Sequence, residues 1–439
     1  MRNKILGIPV KDADIVCLGD GVLLAEKVAE MFNPKPYVAF FKTFGTAQIK
    51  LTDYELEFVG ARKESYNENS RKPQVTKGNF NDDLARRDFT INTLAISLQK
   101  EDYGQLIDNF NGLKHLEAKI IITPLEPETT FSDDPLRMLR AIRFAAQLQF
   151  SIATPTLNAI AAMKDRIKIV SQERITDELN KIIMSKKPSI GFAHLFNTGL
   201  LHIIFPEMAN LAGAENIDGQ SHKDNFWHTV EVLDNICIHT KNIWLRWAAI
   251  LHDIAKPHTK KFDNKVGFTF HGHEVVGAKI VPKIFKALKL PMQDNMRFVQ
   301  KMVLLHLRPI SLTKESITDS AIRRILFEAG DDFESLMLLC NSDITSKNPK
   351  KVKRFLENFA LVKQKCAALE ERDKIRNWQP PITGEIIMNT FNLKPSKIVG
   401  DIKTNIREAM LEGEIESTLE AGIAYMNTIA KNIYNLNII

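Results

Sequence analysis

Between residues 10 and 125 apolar and polar positions alternate in short runs, the spacing expected of half-buried strands. Asp14-Ile-Val-Cys-Leu18, Tyr37-Val-Ala-Phe-Phe41, Ala47-Gln-Ile-Lys-Leu51 and Tyr54-Glu-Leu-Glu-Phe-Val59 read as four strands, with turns at Gly45 and Asp53 and a helix from Val22 to Phe32. From about Asp134 the period lengthens to that of helices and stays there, leaving Lys265-Val-Gly-Phe-Thr-Phe270 as the lone strand-like piece. The expected fold class is α+β: a small mixed β-sheet domain followed by a long all-α part. Breaks are expected near 124–127, 185–188 and 348–350, which divide the chain into 1–125, 126–187, 188–347 and 348–439. At 439 residues the chain exceeds what one core supports.

Composition changes this picture little. Hydrophobic residues at 44% and charged residues at 26% are ordinary for a globular protein. No apolar run is long enough to span a bilayer and the start is basic and polar, so a cytoplasmic protein without membrane association is expected. Cys17, Cys237, Cys340 and Cys366 lack the spacing of a disulfide framework or a cysteine zinc site. The net charge of +6 favours nucleic acid only where it is clustered, and Lys350, Lys351, Lys353 and Arg354 form such a run ahead of Phe355 and Phe359.

Three patterns carry candidate chemistry. Asp12 and Asp14, one residue apart on a strand, leave the same face and repel each other unless a cation lies between them; oxygen ligands suit magnesium. In Phe131-Ser-Asp-Asp-Pro-Leu-Arg-Met-Leu-Arg-Ala-Ile-Arg-Phe144, Ser132 or Asp133 can cap a helix that carries Pro135 in its first turn. Asp134, Arg137, Arg140 and Arg143 then follow at helical spacing, and an Asp beside an Arg can read a base edge, the carboxylate accepting and the guanidinium donating. Thirdly, eight of the eleven histidines fall between His222 and His306. His252-Asp253 sits in the apolar run Trp247-Ala-Ala-Ile-Leu-His-Asp-Ile-Ala-Lys256, where neighbouring polar groups are costly unless coordinated.

The segment Asp133-Asp-Pro-Leu-Arg-Met-Leu-Arg-Ala-Ile-Arg-Phe144 resembles the EDPLR-type motif of bacterial tRNA nucleotidyltransferases and poly(A) polymerases, the CCA-adding enzyme family, with Asp133 where Glu is usual. Lys11-Asp-Ala-Asp-Ile-Val16, Arg86-Arg-Asp-Phe-Thr-Ile-Asn92, His115-Leu-Glu-Ala-Lys119 and Pro381-Ile-Thr-Gly-Glu-Ile-Ile387 extend the likeness in the family's order. The resemblance implies a nucleotidyltransferase head at 1–125, a helical neck at 126–187, an HD body at 188–347 and a tRNA-binding helical tail at 348–439. It implies addition of CMP and AMP from CTP and ATP to tRNA 3′ ends without a nucleic-acid template. Asp12, Asp14 and Glu57 would be the catalytic carboxylates holding Mg2+, with Glu55 as the alternative third. Arg2, Arg86, Arg87, Asp88 and Asn92 would grip the triphosphate and ribose, Asp134 and Arg137 would pair with the base, and Arg140 and Arg143 would complete the nucleotide site.

His228, His252-Asp253 and Asp343 have the order of the HD phosphohydrolase signature, with His273 and His306 available for a second ion and His271 competing with His273. The implied ion is Mn, Ni, Co, Fe or Zn, and the implied chemistry is phosphoester hydrolysis. Met1-Arg-Asn-Lys-Ile-Leu-Gly7 aligns with the family's V-R-D-L-x-x-G, with Asn3 in place of the aspartate, so the family's Gly-Gly turn and the strand and helix before it are missing from this sequence, which is expected of a start placed too late, a fragment or a degenerate head. Two other readings remain: a poly(A) or a partial CC- or A-adding polymerase, and an RNA-binding HD phosphohydrolase with an inactive head.

Overall fold

In the computed structural model, which describes residues 1–41, 45–65, 74–217, 220–221, 224–312, 318–346, 348–376, 378–434 and 436, the alternating runs become a four-stranded sheet. A short helix α1 (Arg2–Ile5) is followed by β1 (Asp12–Cys17), α2 (Gly21–Glu30), β2 (Val38–Phe41), β3 (Thr46–Lys50) and β4 (Glu55–Gly60). The strand order is β1-β4-β3-β2, with β1 parallel to β4 and the other neighbours antiparallel. Strand alternation then assigns the faces. Val38, Ala47, Ile49 and Phe58 pack on Ala25 and Ala29 of α2, while Gln48, Glu57 and Asp14 fall in one row on the opposite face.

The turn into α2 is closed by the Asp20 carboxylate, which accepts from the N–H groups of Val22 at 2.8 Å and Leu23 at 3.3 Å. Glycine is required where this turn meets the end of β4. A Cβ on Gly60 would lie 2.4 Å from the Gly19 carbonyl oxygen, and one on Gly21 would lie 2.9 Å from the Gly60 nitrogen.

The chain divides into two units, Met1–Ala212 and Gly213–Ile439. In the first, the sheet is followed by the helix Phe80–Ala85, a 3-10 turn Thr90–Asn92, and the helices Pro127–Asp133 and Leu136–Leu148. Here the structure departs from the sequence reading. Ser132 and Asp133 end one helix rather than cap the next, and Asp134 is extended at φ −139 and ψ 101. Pro135 is the cause, because its ring crowds the preceding residue out of the helical region. Asp134 takes over the capping role, its Oδ1 accepting from Leu136 N–H at 3.1 Å.

In the second unit, the helices Asn225–Cys237, Ile243–Leu251, His273–Ala287, Asp294–Leu305 and Phe333–Ser342 bury Phe226, Trp247, Phe285 and Phe333. A 25-residue helix, Pro349–Asp373, leads to three closing helices that gather Ile382, Ile387, Ile402, Ile406 and Met426. The helical part is not free of strands: Ser151–Ile152 pairs with Ile120–Ile121, 216–217 pairs with 220–221, and Lys261–Asp263 pairs with Gly267–Thr269. The expected strand at 265–270 starts two residues late. Asp263 Oδ1 accepts from the N–H groups of Lys265 and Val266, bending them into the turn. Among the described residues no helix is long and apolar enough to cross a membrane.

Candidate functional site

The parallel register of β1 on β4 sets Asp12 beside Glu55 and Asp14 beside Glu57. The structure thereby separates the two glutamates. Glu55 is engaged by Lys50 Nζ at 3.3 Å and Gln48 Nε2 at 3.1 Å, whereas burial, and next Asp14, raise Glu57 above the usual carboxylate range. Glu57 also lines an open pocket of about 300 Å³ with Phe41, Thr46, Gln48 and Arg62. A carboxylate row on an open sheet face is a hard, oxygen-rich donor set of the kind that suits a small divalent cation.

The helix Leu136–Leu148 and the Arg86-Arg87-Asp88 loop form one network. Asp88 is buried and divides its oxygens: Oδ2 accepts Arg140 Nε at 2.8 Å and Nη2 at 2.5 Å, and Oδ1 accepts Asn92 Nδ2 at 2.8 Å and Phe89 N–H at 2.9 Å. Burial works against the Asp88 charge, but Arg140 and the Asn92 amide outweigh it and hold the carboxyl below its ordinary value. Arg2 donates to Asn92 Oδ1 at 2.6 Å, and its guanidinium lies 4.5 Å from the centre of the Phe144 ring, which Arg143 also covers at 4.1 Å. Arg2, Asp88, Asn92, Arg140 and Arg143 are thus brought together around Phe144.

Arg86 and Arg87 turn instead to Asp83, and Arg137 is committed to the backbone, donating to the carbonyls of Thr130 at 3.3 Å and Arg86 at 2.6 Å. Asp83 and Glu178 escaped the sequence reading. Glu178 is buried, with Oε2 2.6 Å from Arg143 Nε and Oε1 3.0 Å from Lys181 Nζ. The i to i+3 and i to i+4 spacing of Asp83 to Arg86 and Arg87 was a usable local signal. Glu178 lies 35 positions from Arg143, a partnership that only folding creates.

The second unit holds two donor clusters, His228, His252 and Asp343, and Asp253, His273 and His306, each with ligand atoms within 4.8 Å of one another. Asp253 touches both: Oδ2 lies 3.5 Å from His228 Nε2 and 3.2 Å from His252 Nε2, and Oδ1 lies 3.2 Å from His273 Nε2. Each ring is oriented from behind. The Nδ1 atoms of His252, His273 and His306 meet the carbonyls of Ala249, Phe270 and Val303 at 2.8, 2.7 and 2.6 Å, and His228 Nδ1 meets Thr345 Oγ1 at 2.9 Å. An Nδ1–H donated to a carbonyl leaves the Nε2 lone pair aimed inward. His273 Nε2 and His306 Nε2 then face each other at 3.2 Å, an opposition that a cation relieves, so the donor set fits divalent metal ions.

Burial disfavours charge on His252, yet Asp253 and Asp343 overcome it and push the imidazole up to about 10; burial and then the neighbouring His252 push His306 down to about 4. His271 is exposed and takes no place in either cluster, while Lys256, which the sequence reading passed over, places Nζ 2.5 Å from Asp253 Oδ2. In the tail, Lys350, Lys353 and Arg354 are exposed on the helix whose Phe359 is buried; Lys351 lies outside the described side chains.

Three family models match the chain: a poly A polymerase head domain over residues 1–122, a probable RNA and SrmB-binding site of polymerase A over 149–211, and an HD domain over 225–334. The A-adding tRNA nucleotidyltransferase of Deinococcus radiodurans is 31% identical over 354 residues, 78% of either chain. The multifunctional CCA protein of Nitrosospira multiformis is 28% identical over 417 residues, 89% of this chain and 94% of that one. Among solved structures, the Bacillus stearothermophilus CCA-adding enzyme in complex with CTP superposes with a TM-score of 0.67 at 20% identity, covering 99% of this chain and 92% of the other, a likeness of fold.

Proposed function

The chain belongs to the family of tRNA nucleotidyltransferases and poly(A) polymerases, and within it we propose an enzyme that adds CMP and AMP to tRNA 3′ ends from CTP and ATP, with no nucleic-acid template. The observation that carries this reading is the register that sets Asp14 beside Glu57 on an open sheet face, in the same unit as the arginine network anchored by Asp83 and Asp88. Asp12, Asp14 and Glu57 would hold magnesium, which supplies Lewis-acid activation of the primer hydroxyl and neutralises triphosphate charge. Arg86 and Arg87 offer planar forks to phosphate oxygens. Asn92, fixed between Arg2 and Asp88, faces the ribose, and Asp134 and Arg137 read the base edge once the nucleotide draws Arg137 from its carbonyl partners. Exposed Lys350, Lys353 and Arg354, with Lys351, hold tRNA phosphates without reading sequence. With tRNA and free nucleotides as partners, the protein works in the cytoplasm.

The experiment is to incubate the purified chain with tRNA lacking its 3′ CCA, with CTP, ATP and magnesium, and resolve the products by length. Addition of three nucleotides in the order C, C, A supports the proposal. Addition of a single A, and only to tRNA already ending in CC, supports an A-adding enzyme, a reading favoured by the likeness to the Deinococcus radiodurans protein. Long A tracts indicate a poly(A) polymerase, and no extension rejects the head as a polymerase. For the HD clusters we propose phosphoester hydrolysis at nucleotides or RNA ends, with Mn, Ni, Co, Fe or Zn bound by His228, His252 and Asp343 and by Asp253, His273 and His306.

A further inference from the structure

Asp83 is a fully buried carboxylate whose partners are two consecutive arginines. One oxygen accepts Arg86 Nε at 2.9 Å and Nη2 at 2.5 Å, and the other lies 3.5 Å from Arg87 Nη2. The helix it sits on does not need this group, because the N-terminus of Phe80–Ala85 is already closed by reciprocal bonds of 2.9 Å between Asn79 and Asp82. A carboxylate removed from water persists as an anion only when opposite charge holds it. Here that charge comes from guanidiniums that still reach solvent, with Arg86 and Arg87 side chains 20% and 25% exposed. Arg87 is fixed a second time by Nη1 donating to the Asn92 carbonyl at 3.1 Å, and the Arg86 backbone is pinned by Arg137 at 2.6 Å.

We infer that Asp83 is a positioning residue for the triphosphate of the incoming nucleotide. By sharing one carboxylate between Arg86 and Arg87, it offsets their mutual repulsion and holds both forks ready for phosphate oxygens, so that little side-chain freedom is lost on binding. This rests on the reading that these arginines meet the triphosphate. It adds a requirement for a countercharge that never touches the nucleotide. A neutral amide at position 83 keeps the shape and removes the charge that aligns the pair. The effect must grow with phosphate number, because a monophosphate can be met by one fork and a triphosphate calls on both.

The test is calorimetric binding of ATP and AMP to the full chain, wild type against Asp83→Asn, with thermal unfolding as the control for folding. ATP should bind about tenfold more weakly in the variant while AMP stays within about twofold, and in nucleotide addition KM for ATP should rise by a similar factor with a smaller fall in kcat. Equal weakening of ATP and AMP, or unchanged ATP affinity, overturns the assignment. Should Asp83→Asn fail to fold, Asp83→Glu keeps the charge: a folded Glu variant should hold the wild-type preference for ATP over AMP within about threefold, and loss of that preference overturns it. A wild-type chain that prefers ATP to AMP, loses the preference on Asp83→Asn and yet extends no tRNA would uphold Asp83 while defeating the polymerase reading.

Discussion

The head and the HD region both gather carboxylates, and they do so in opposite ways. In the head, Asp12, Asp14 and Glu57 stand on an open sheet face, placed by strand register. In the HD region, Asp253, His252, His273 and His306 are buried, and each imidazole is held from behind by a backbone carbonyl. The contrast follows from what each would handle. An open row leaves room for a cation that arrives with a triphosphate and departs with pyrophosphate, whereas a buried cluster oriented through Nδ1 suits a resident ion. Burial has a second consequence: the HD groups shift one another strongly, with His252 raised to about 10 and His306 lowered to about 4, while on the open sheet face Glu57 is raised by burial and next by Asp14.

The largest expected effects come from removing one carboxylate from each region. Asp14→Asn should cut nucleotide addition by at least about a thousandfold and leave phosphoester hydrolysis unchanged; Asp253→Ala should abolish hydrolysis and bound transition metal and leave addition unchanged. Assays of both activities on both variants, with elemental analysis of the protein, check this reciprocity, and either variant losing both activities would break it. Next in size is the joint between loop and neck. Asp88→Asn should cost about 2–4 kcal/mol of stability, because Arg140 is left without its counterion. The folded pKa of Asp88 is depressed, so its contribution is present above the unfolded pKa and is lost as pH falls through the folded one. Denaturant titrations of wild type and variant should therefore converge in acid, and parallel curves at every pH would refute the assignment.

Arg137→Ala should lower discrimination of CTP and ATP against GTP and UTP by about 1–3 kcal/mol, read as ratios of kcat/KM. A change in stability with unaltered nucleotide choice would instead leave Arg137 as the tie between the neck and the Arg86 carbonyl.

The two regions were also unequally legible. Period-two alternation located all four strands of the sheet to within a residue or two, because α2 covers one face and leaves the other polar. The six HD donors could be named from spacing and order, yet their division into two clusters bridged by Asp253 depends on five helices meeting. Asp83, Glu178 and Lys256 went unread, since an acid or a lysine on a helix looks like a solvated face until its partner is known. The Asp134–Pro135 break was present as a rule about the residue before proline, and the strength of the apolar pattern beyond it concealed the rule.

The smallest effect sharpens the comparison most directly, because it asks whether the open row behaves as a cation site at all. Glu57 has a raised folded pKa, caused first by burial and then by Asp14, so the native state binds more protons than the unfolded chain between the unfolded and folded values. Stability contributed by this residue therefore falls as pH rises through that window and stays low above it. Glu57→Gln removes the penalty. Solvent screening at this half-open position limits the gain to a few tenths of a kcal/mol, so in EDTA at neutral pH the variant should melt slightly higher than wild type. Added magnesium should reverse the order, since the wild-type row gains a ligand that the variant binds more weakly. Melting curves in EDTA and in a magnesium series measure both halves, and a variant that stays the more stable at every magnesium concentration would separate Glu57 from the metal-binding carboxylates and leave Asp12 and Asp14 to hold the ion without it.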